Sequence, residues 1–322
     1  MGKAYDVVSL GELLIDFTQY GAAEGGNPLF EANPGGAPAN VLSMLTKLGR
    51  RCAFIGKVGC DAFGEQLGRV LRANGIDTRG LRFDERAHTT LAFVQTLPDG
   101  DRDFSFYRDP GADVLLLPEE LDTELLNCCR IFHFGSLSLT DDPCRSATVR
   151  AVKIAREAGA LISFDPNLRE PLWTELSLAR EQIRWGLAQC DILKIADNEL
   201  SFITGETDPD AGASLLTEEF PNIRLLNVTL GAAGSRAYYD DLFVAVQGCP
   251  LGGVVDATGA GDTFCACVLG FVLEHGLDAL TESDLRQMLR FANSAAYLVT
   301  TKRGALCSMP EKHMVAELME KW

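Results

Sequence analysis

The feature that most constrains this chain is its rhythm. Short apolar, β-rich runs at Tyr5–Leu10, Cys52–Val58, Ile131–Phe134, Leu161–Phe164, Ile192–Ile195 and Ile223–Leu230 are separated by helical patterns. Those patterns include Pro38–Leu48, Ala62–Ala73, Pro143–Ala158 and Leu178–Ala188. A strand that reads as one continuous apolar run is buried on both faces, and strands alternating with helices build a parallel sheet covered on both sides. The expectation is a three-layer α/β/α fold with a central, mostly parallel sheet, spanning 1–322 as one domain. No internal repeat, low-complexity segment or linker divides the chain.

Two regions break the rhythm. Glu12–Tyr20, and the pair Thr89–Thr96 with Arg102–Arg108, alternate polar and apolar residues, which marks strands with one wet face. The pair flanks Leu97-Pro98-Asp99-Gly100-Asp101, a strong hairpin signal. These segments, about 12–33 and 89–108, are expected to form a small antiparallel sheet outside the main one, either a lid or decoration. A lid fits better, because ligands of such folds bind at the strand ends.

Charge narrows the partners. The 322 residues carry a formal net charge of −16 without any run of Lys or Arg. An acidic surface repels nucleic-acid backbones and anionic lipid, so neither is expected as a partner. A small neutral substrate is compatible, and any polyanion must be caught by local devices. No stretch reaches the roughly 20 apolar residues of a membrane helix, and the first residues lead directly into a strand without a signal-peptide core. The ten cysteines form no CxxC motif and the four histidines are scattered, so reduced core thiols in a cytoplasmic protein are expected rather than structural zinc.

The chemistry concentrates in Val254-Val255-Asp256-Ala257-Thr258-Gly259-Ala260-Gly261-Asp262-Thr263-Phe264, which opens an apolar helix, Cys265–His275. Small residues at a helix start let backbone N–H groups converge on an anion at the positive end of the helix dipole. A carboxylate there would repel that anion, which makes sense if Asp262 takes a proton from a hydroxyl attacking a phosphoryl group. The plainer alternative is that Asp262 caps the helix. A dinucleotide fingerprint fits poorly, since Phe264 stands where its last glycine belongs. The chain has no Walker A loop and none of the protein-kinase motifs.

Asp-Ala-Thr-Gly-Ala-Gly-Asp at 256–262 resembles the C-terminal signature of the ribokinase-like (PfkB) family. Gly35-Gly36-Ala37-Pro38-Ala39-Asn40 resembles its N-terminal signature. The similarity continues through Gly56-Lys57-Val58-Gly59, Asp165-Pro166-Asn167-Leu168-Arg169, Val228-Thr229-Leu230-Gly231 and Asn293-Ser294-Ala295-Ala296. The resemblance implies a ribokinase-like fold with a β lid and an ATP-dependent sugar kinase.

It also implies roles. Asp262 would be the base, Gly259, Ala260 and Gly261 the anion hole, and Arg169 a holder of phosphate or transition-state charge. Asp16, Gly35, Gly36 and Asn40 would bind the sugar, with Phe106 and Arg108 contacting it from the lid. Read from the residues alone, Asp16 is a strand-end polar residue, Asn40 a helix-start residue, and Arg102 and Arg108 are edge-strand charges or partners for a substrate carboxylate. Thr229, Gly231, Gly234 and Asn293 would flank ATP, although Gly231 and Gly234 also suit an ordinary turn. Glu199 would organise Mg2+ indirectly, since Ala196 stands where the family carries an Asn. Asp256, Thr258, Val299, Gly304 and Ser308 match a monovalent-cation site, which implies K+.

Three strings, 34–40, 104–108 and 164–169, resemble bacterial and plant fructokinases. They imply D-fructose as acceptor and D-fructose 6-phosphate as product, with 2-keto-3-deoxygluconate, ribose or aminoimidazole riboside as alternatives. The family also implies a homodimer through the lid. Outside catalysis, a sugar or nucleotide sensor on the same scaffold, or a dinucleotide-dependent oxidoreductase, would be the rivals.

Overall fold

The computed structural model describes residues 3–96 and 102–321. The turn expected at 97–101 and the side chain of Arg102 lie outside the described residues. In chain order the first strands are β1 (Tyr5–Leu10), β2 (Leu14–Ala22) and β3 (Pro28–Gly35), followed by helix α1 (Ala37–Lys47). Then come β4 (Cys52–Gly59), α2 (Ala62–Ala73), β5 (Asp77–Asp84), β6 (Leu91–Thr96) and β7 (Arg102–Tyr107). The middle of the chain holds α3 (Thr123–Asn127), β8 (Cys129–Gly135), α4 (Cys144–Glu157), β9 (Leu161–Asp165), α5 (Leu176–Gln189) and β10 (Ile192–Ala196). After α6 (Asp197–Thr204) and α7 (Pro209–Glu219) follow β11 (Leu225–Thr229), β12 (Ser235–Tyr239) and β13 (Leu242–Val246). Three helices close the fold: α8 (Ala260–His275), α9 (Glu282–Thr300) and α10 (Lys312–Met319).

Nine strands form one sheet in the order β13-β12-β11-β10-β9-β8-β1-β4-β5. Every pairing from β11 to β5 is parallel, while β12 and β13 add an antiparallel edge. The apolar runs split between two cores, as period-2 strands must. Val7, Ile131, Ile192 and Leu225 face a layer of α1, α2, α8, α9 and α10. Their neighbours Val8, Phe132, Leu193 and Leu226 face the layer of α3–α7. The expected three-layer α/β/α fold is the one observed.

Helix α8 is apolar on almost every side and packs between α1 and α9, so it is buried along most of its length. Helix α2 starts at Asp61, whose carboxylate accepts the Gly64 N–H at 2.8 Å. The sequence reading named no helix at α3, α6, α7 or α10 and no strand at β5, β12 or β13, and it began α8 five residues late.

The four strands of the second sheet lie in the order β3-β2-β6-β7. The sheet is mixed, which corrects the antiparallel expectation. β2 pairs with β3 and β6 with β7 in antiparallel fashion, but β2 and β6 run parallel. They are joined through α1, β4, α2 and β5 rather than by a hairpin, so nothing forces them to oppose. On one face of this sheet Phe17 stacks on Phe93 at 4.9 Å between ring centres, and Phe63 of α2 meets Phe17 edge-on. That aromatic contact seats the lid on the main body.

Candidate active site

A cavity of about 450 Å³ opens where the lid overhangs the C-terminal ends of the central strands. Its lining comes from β2, β7, α1, the loop after β9, β10, α6, the end of β11 and the start of α8. Most residues singled out from the sequence meet here: Asp16, Gly36, Asn40, Phe106, Arg169, Glu199, Thr229, Gly231, Thr258, Gly259, Gly261 and Asp262.

Asp262 stands in the first turn of α8, behind a left-handed Gly259 at φ 79°. A Cβ on Gly259 would sit 2.5 Å from that of Ala305, so both conformation and space select glycine. The helix start has no side-chain cap. Instead, Asn40 Nδ2 donates to Asp262 Oδ2 at 2.8 Å, across 222 residues of chain. The carboxylate is therefore engaged from the side and not spent on the helix end. Burial pushes its pKa up to about 6, with Asp165 adding to the rise. The Asn40 bond and the cations Lys194 and Arg169 hold it back. At neutral pH Asp262 is ionised yet basic enough to take a proton.

Asp16 projects from β2, half-buried, and Gly35 across the strand pair leaves it room: a Cβ there would lie 2.2 Å from Asp16 Oδ2. Burial raises the Asp16 pKa to about 7, Arg169 opposes the rise, and Asp256 and Asp262 add to it. Gly35 thus acts beneath Asp16 and does not itself line the cavity.

Other expected residues serve differently. Arg108 is turned away from the cavity. Its guanidinium lies 2.6 Å from Asp113 and donates to Thr140 Oγ1 and the Leu137 carbonyl, each at 3.0 Å. Both partners of the Arg108–Asp113 pair are almost wholly buried, so the reading of Arg108 as a substrate contact is corrected. Its planar fork instead fastens the base of the lid to the 136–140 segment. Gly234 turns the chain into β12 behind the lining. Asn293 is buried and bonded to Ser235 Oγ at 2.9 Å and to the carbonyls of Gln247 and Val246. It braces the wall rather than facing into the cavity. The Ala260 N–H points back to the Ala257 carbonyl at 3.3 Å, leaving Gly259 and Gly261 at the surface of the hole.

Glu199 is buried in α6. Its Oε1 accepts the Leu168 N–H at 2.7 Å and its Oε2 the Ala196 N–H at 2.8 Å. Burial raises its pKa and Lys194 counters the rise. Asp256 accepts from Thr258 through Oδ1 and from the Gly304 N–H through Oδ2 at 3.1 Å, while the Val255 and Asp256 N–H groups reach the Thr300 carbonyl. Ser308 Oγ donates to the Arg303 carbonyl. Asp256, Thr258 and Gly304 thus share one loop junction, with Val299 at the end of α9 and Ser308 just beyond.

Two residues were missed. Glu12, buried between β1 and β2, accepts the Ala37 N–H at 2.7 Å and has its pKa raised to about 7 by burial. Lys194, buried in β10, pairs with Asp165 at 3.0 Å. Burial alone would lower the Lys194 pKa, but the Asp165 and Glu199 carboxylates reverse this and keep it charged. A lysine inside an apolar strand was itself the signal, since lysine is almost never buried unpaired.

Residues 4–312 match the pfkB family carbohydrate kinases. The chain belongs to that family. This carbohydrate kinase is 47% identical over 307 residues to a probable fructokinase-2 of Arabidopsis thaliana, covering 94% of this chain and 92% of the relative. Its structure is similar to that of a fructokinase with bound ATP from Xylella fastidiosa, with a TM-score of 0.87, 31% identity and 98% of each chain covered. It is also similar to a fructokinase from Vibrio cholerae O395 bound to fructose, ADP and a calcium ion, with a TM-score of 0.87 and 29% identity, covering 98% of this chain and 99% of that one.

Proposed function

We propose that this carbohydrate kinase transfers the γ-phosphoryl group of ATP to D-fructose, forming D-fructose 6-phosphate. Its sugar-kinase relatives support the reaction class, and the fructokinases among them support the acceptor. The observation that carries the choice of sugar is the lid side of the cavity. Two carboxylates, Glu12 and Asp16, line it, and Arg108 is bound to Asp113. A polyhydroxylated neutral sugar can exchange hydrogen bonds with these carboxyl groups in either protonation state, whereas a sugar acid would meet like charge as they ionise above about pH 7.

In this reading Asp16 and Asn40 orient the sugar, and Asp262 removes the proton of the attacking hydroxyl. Gly259 and Gly261 present the positive end of α8 to the phosphoryl oxygens, with Arg169 beside them. Thr229 and Gly231, at the β11 side, border the nucleotide. The described residues contain no cluster of three His, Cys, Asp or Glu able to cage a metal. Mg2+ would be held chiefly by phosphates and water, with Glu199 organising it indirectly. When bound, Mg2+ would neutralise charge on the β- and γ-phosphates. The junction of Asp256, Thr258 and Gly304, with Val299 and Ser308, would hold K+ through oxygen donors.

The reading takes the whole chain as one catalytic unit. It places the protein in the cytoplasm, consistent with ten free cysteines, and makes it a homodimer through the lid. There Tyr107 stands exposed on the edge strand β7, and Tyr20 stands exposed on β2 beyond the stretch that pairs with β6. No described helix is long and apolar enough to cross a membrane.

A coupled assay with MgATP across fructose, ribose, mannose, 2-keto-3-deoxygluconate and aminoimidazole riboside tests the acceptor. Fructose should lead in kcat/KM by about tenfold or more, a margin near 1.4 kcal/mol. A clear preference for a carboxylated or ribosyl substrate would overturn it.

A further inference from the structure

The phosphoryl path described above leaves one cation without a task. Lys194 ends in the cavity, and its Nζ lies 3.0 Å from where a Cβ on Gly261 would be. The ammonium is therefore packed against the first turn of α8, one residue before Asp262. A cation at that end of a helix is electrostatically misplaced, because the macrodipole there is already positive. Neutralising Asp165 is a weak reason for the arrangement, since a buried ion pair is often no more stable than an apolar pair of similar volume. Asp165, Glu199 and Asp262 offset the ammonium there, and the cavity it shares with Gly259 and Gly261 leaves room for a further anion between ammonium and helix start. The carboxylates of Asp165 and Glu199 set the Lys194 charge and leave its tetrahedral donors near the hole bordered by Gly259 and Gly261.

Resting on the kinase reading, we propose that Lys194 is a catalytic residue that donates to the γ-phosphoryl group in flight, with Asp165 as its positioning residue. In that step a bond forms between the sugar oxygen and the γ-phosphorus, and the bond from the γ-phosphorus to the β–γ bridging oxygen breaks. The bonding pair leaves with ADP, and the proton of the sugar hydroxyl passes to Asp262. Lys194 keeps its own protons throughout. Its charge meets negative charge gathering on the phosphoryl and bridging oxygens, which is where a preorganised cation contributes most.

The test uses the full chain with Lys194→Met, Lys194→Arg and the double variant Lys194→Met/Asp165→Asn, each melted to verify folding. With MgATP and the sugar the wild type prefers, Lys194→Met should lose ~10²–10³-fold in kcat, with sugar KM changed less than about threefold. Lys194→Arg should recover part of the loss. The acid limb of the kcat profile should move to higher pH in Lys194→Met. Asp262 would then face Asp165, Arg169 and Asn40 without the ammonium that lowers its pKa. The double variant decides between charge balance and catalysis. If Lys194 only offsets Asp165, removing both restores kcat; if it serves the phosphoryl group, the double variant stays slow. Restored kcat in the double variant, or wild-type turnover by Lys194→Met, overturns the proposal while leaving the kinase reading intact. A wild-type chain that phosphorylates no sugar overturns both.

Discussion

Asp262→Asn should make the protein inactive and more stable at once. The amide keeps the shape, and its oxygen can still accept from Asn40 Nδ2, but its proton affinity is gone. Loss of a general base costs ~10²–10⁴-fold in kcat, with sugar affinity nearly unchanged. The stability change follows from burial. In the folded chain the Asp262 carboxyl is raised from 3.8 to about 6, so the native state keeps a proton that the unfolded chain has already released. Stability contributed by the protonated carboxyl is complete below 3.8 and lost as pH rises through about 6. Over that span the loss amounts to roughly 3 kcal/mol, an upper value because neighbouring groups relax. The neutral amide has no such loss. At pH 8 the variant should melt several degrees above wild type, and near pH 4 the two should melt together. Thermal melts at both pH values, with kcat measured on the same preparations, are sufficient. Equal melting at pH 8 would refute the buried-charge argument, and near-normal kcat would refute the role of Asp262 as base.

Asp16→Asn should act on binding. Hydrogen bonds from sugar hydroxyls to a charged carboxylate are worth roughly 1.5–3 kcal/mol, so calorimetry at pH 8, above the Asp16 pKa of about 7, should show fructose affinity down about 10- to 150-fold, with a smaller loss in kcat than at Asp262. Arg108→Ala leaves the nearly buried Asp113 unpaired and should destabilise the fold by about 3–5 kcal/mol in denaturant titration; unchanged stability with altered sugar preference would return Arg108 to the substrate. Sedimentation at micromolar concentration should show a two-chain species that a charge at the exposed Tyr107, as in Tyr107→Glu, splits; a wild-type sample of single chains rules the lid dimer out.

Much of the architecture was legible because its strands are buried on both faces. Val7-Val8, Phe132 and Ile192-Leu193 read as continuous apolar runs, which only a covered parallel sheet can use. Strands β12 and β13 are the outermost two of the sheet, β12 alternating buried with half-buried positions and β13 burying only Val244 fully, so their signal was weaker. Helix α6 opens with Asp197-Asn198-Glu199, polar residues without an apolar period, and its start is marked by Glu199 folding back onto the Ala196 N–H. In the site, Asp262 and Asn40 stood in motifs and Asp16 was implied by the family resemblance; all three line the cavity. Arg108 was misassigned because an arginine beside aromatics in a lid strand looks the same whether its fork meets a ligand or Asp113. That distinction depends on the Ala112–Leu115 turn and the 136–140 segment, whose approach no local pattern encodes.

A single residue, Gly36, separates the last lid strand from the helix that carries Asn40. Glu12, just ahead of the first lid strand, fastens the other side of that joint by accepting the Ala37 N–H. The lid and α1 therefore form one stiff bracket, sprung from the end of β1 and returning to the body at Asn40. Asp16, the proposed sugar contact, stands on the same bracket whose far arm bonds Asp262. On the proposed roles, acceptor and base are carried by one bracket, and the bond from Asn40 that steadies the base is already made before any sugar arrives.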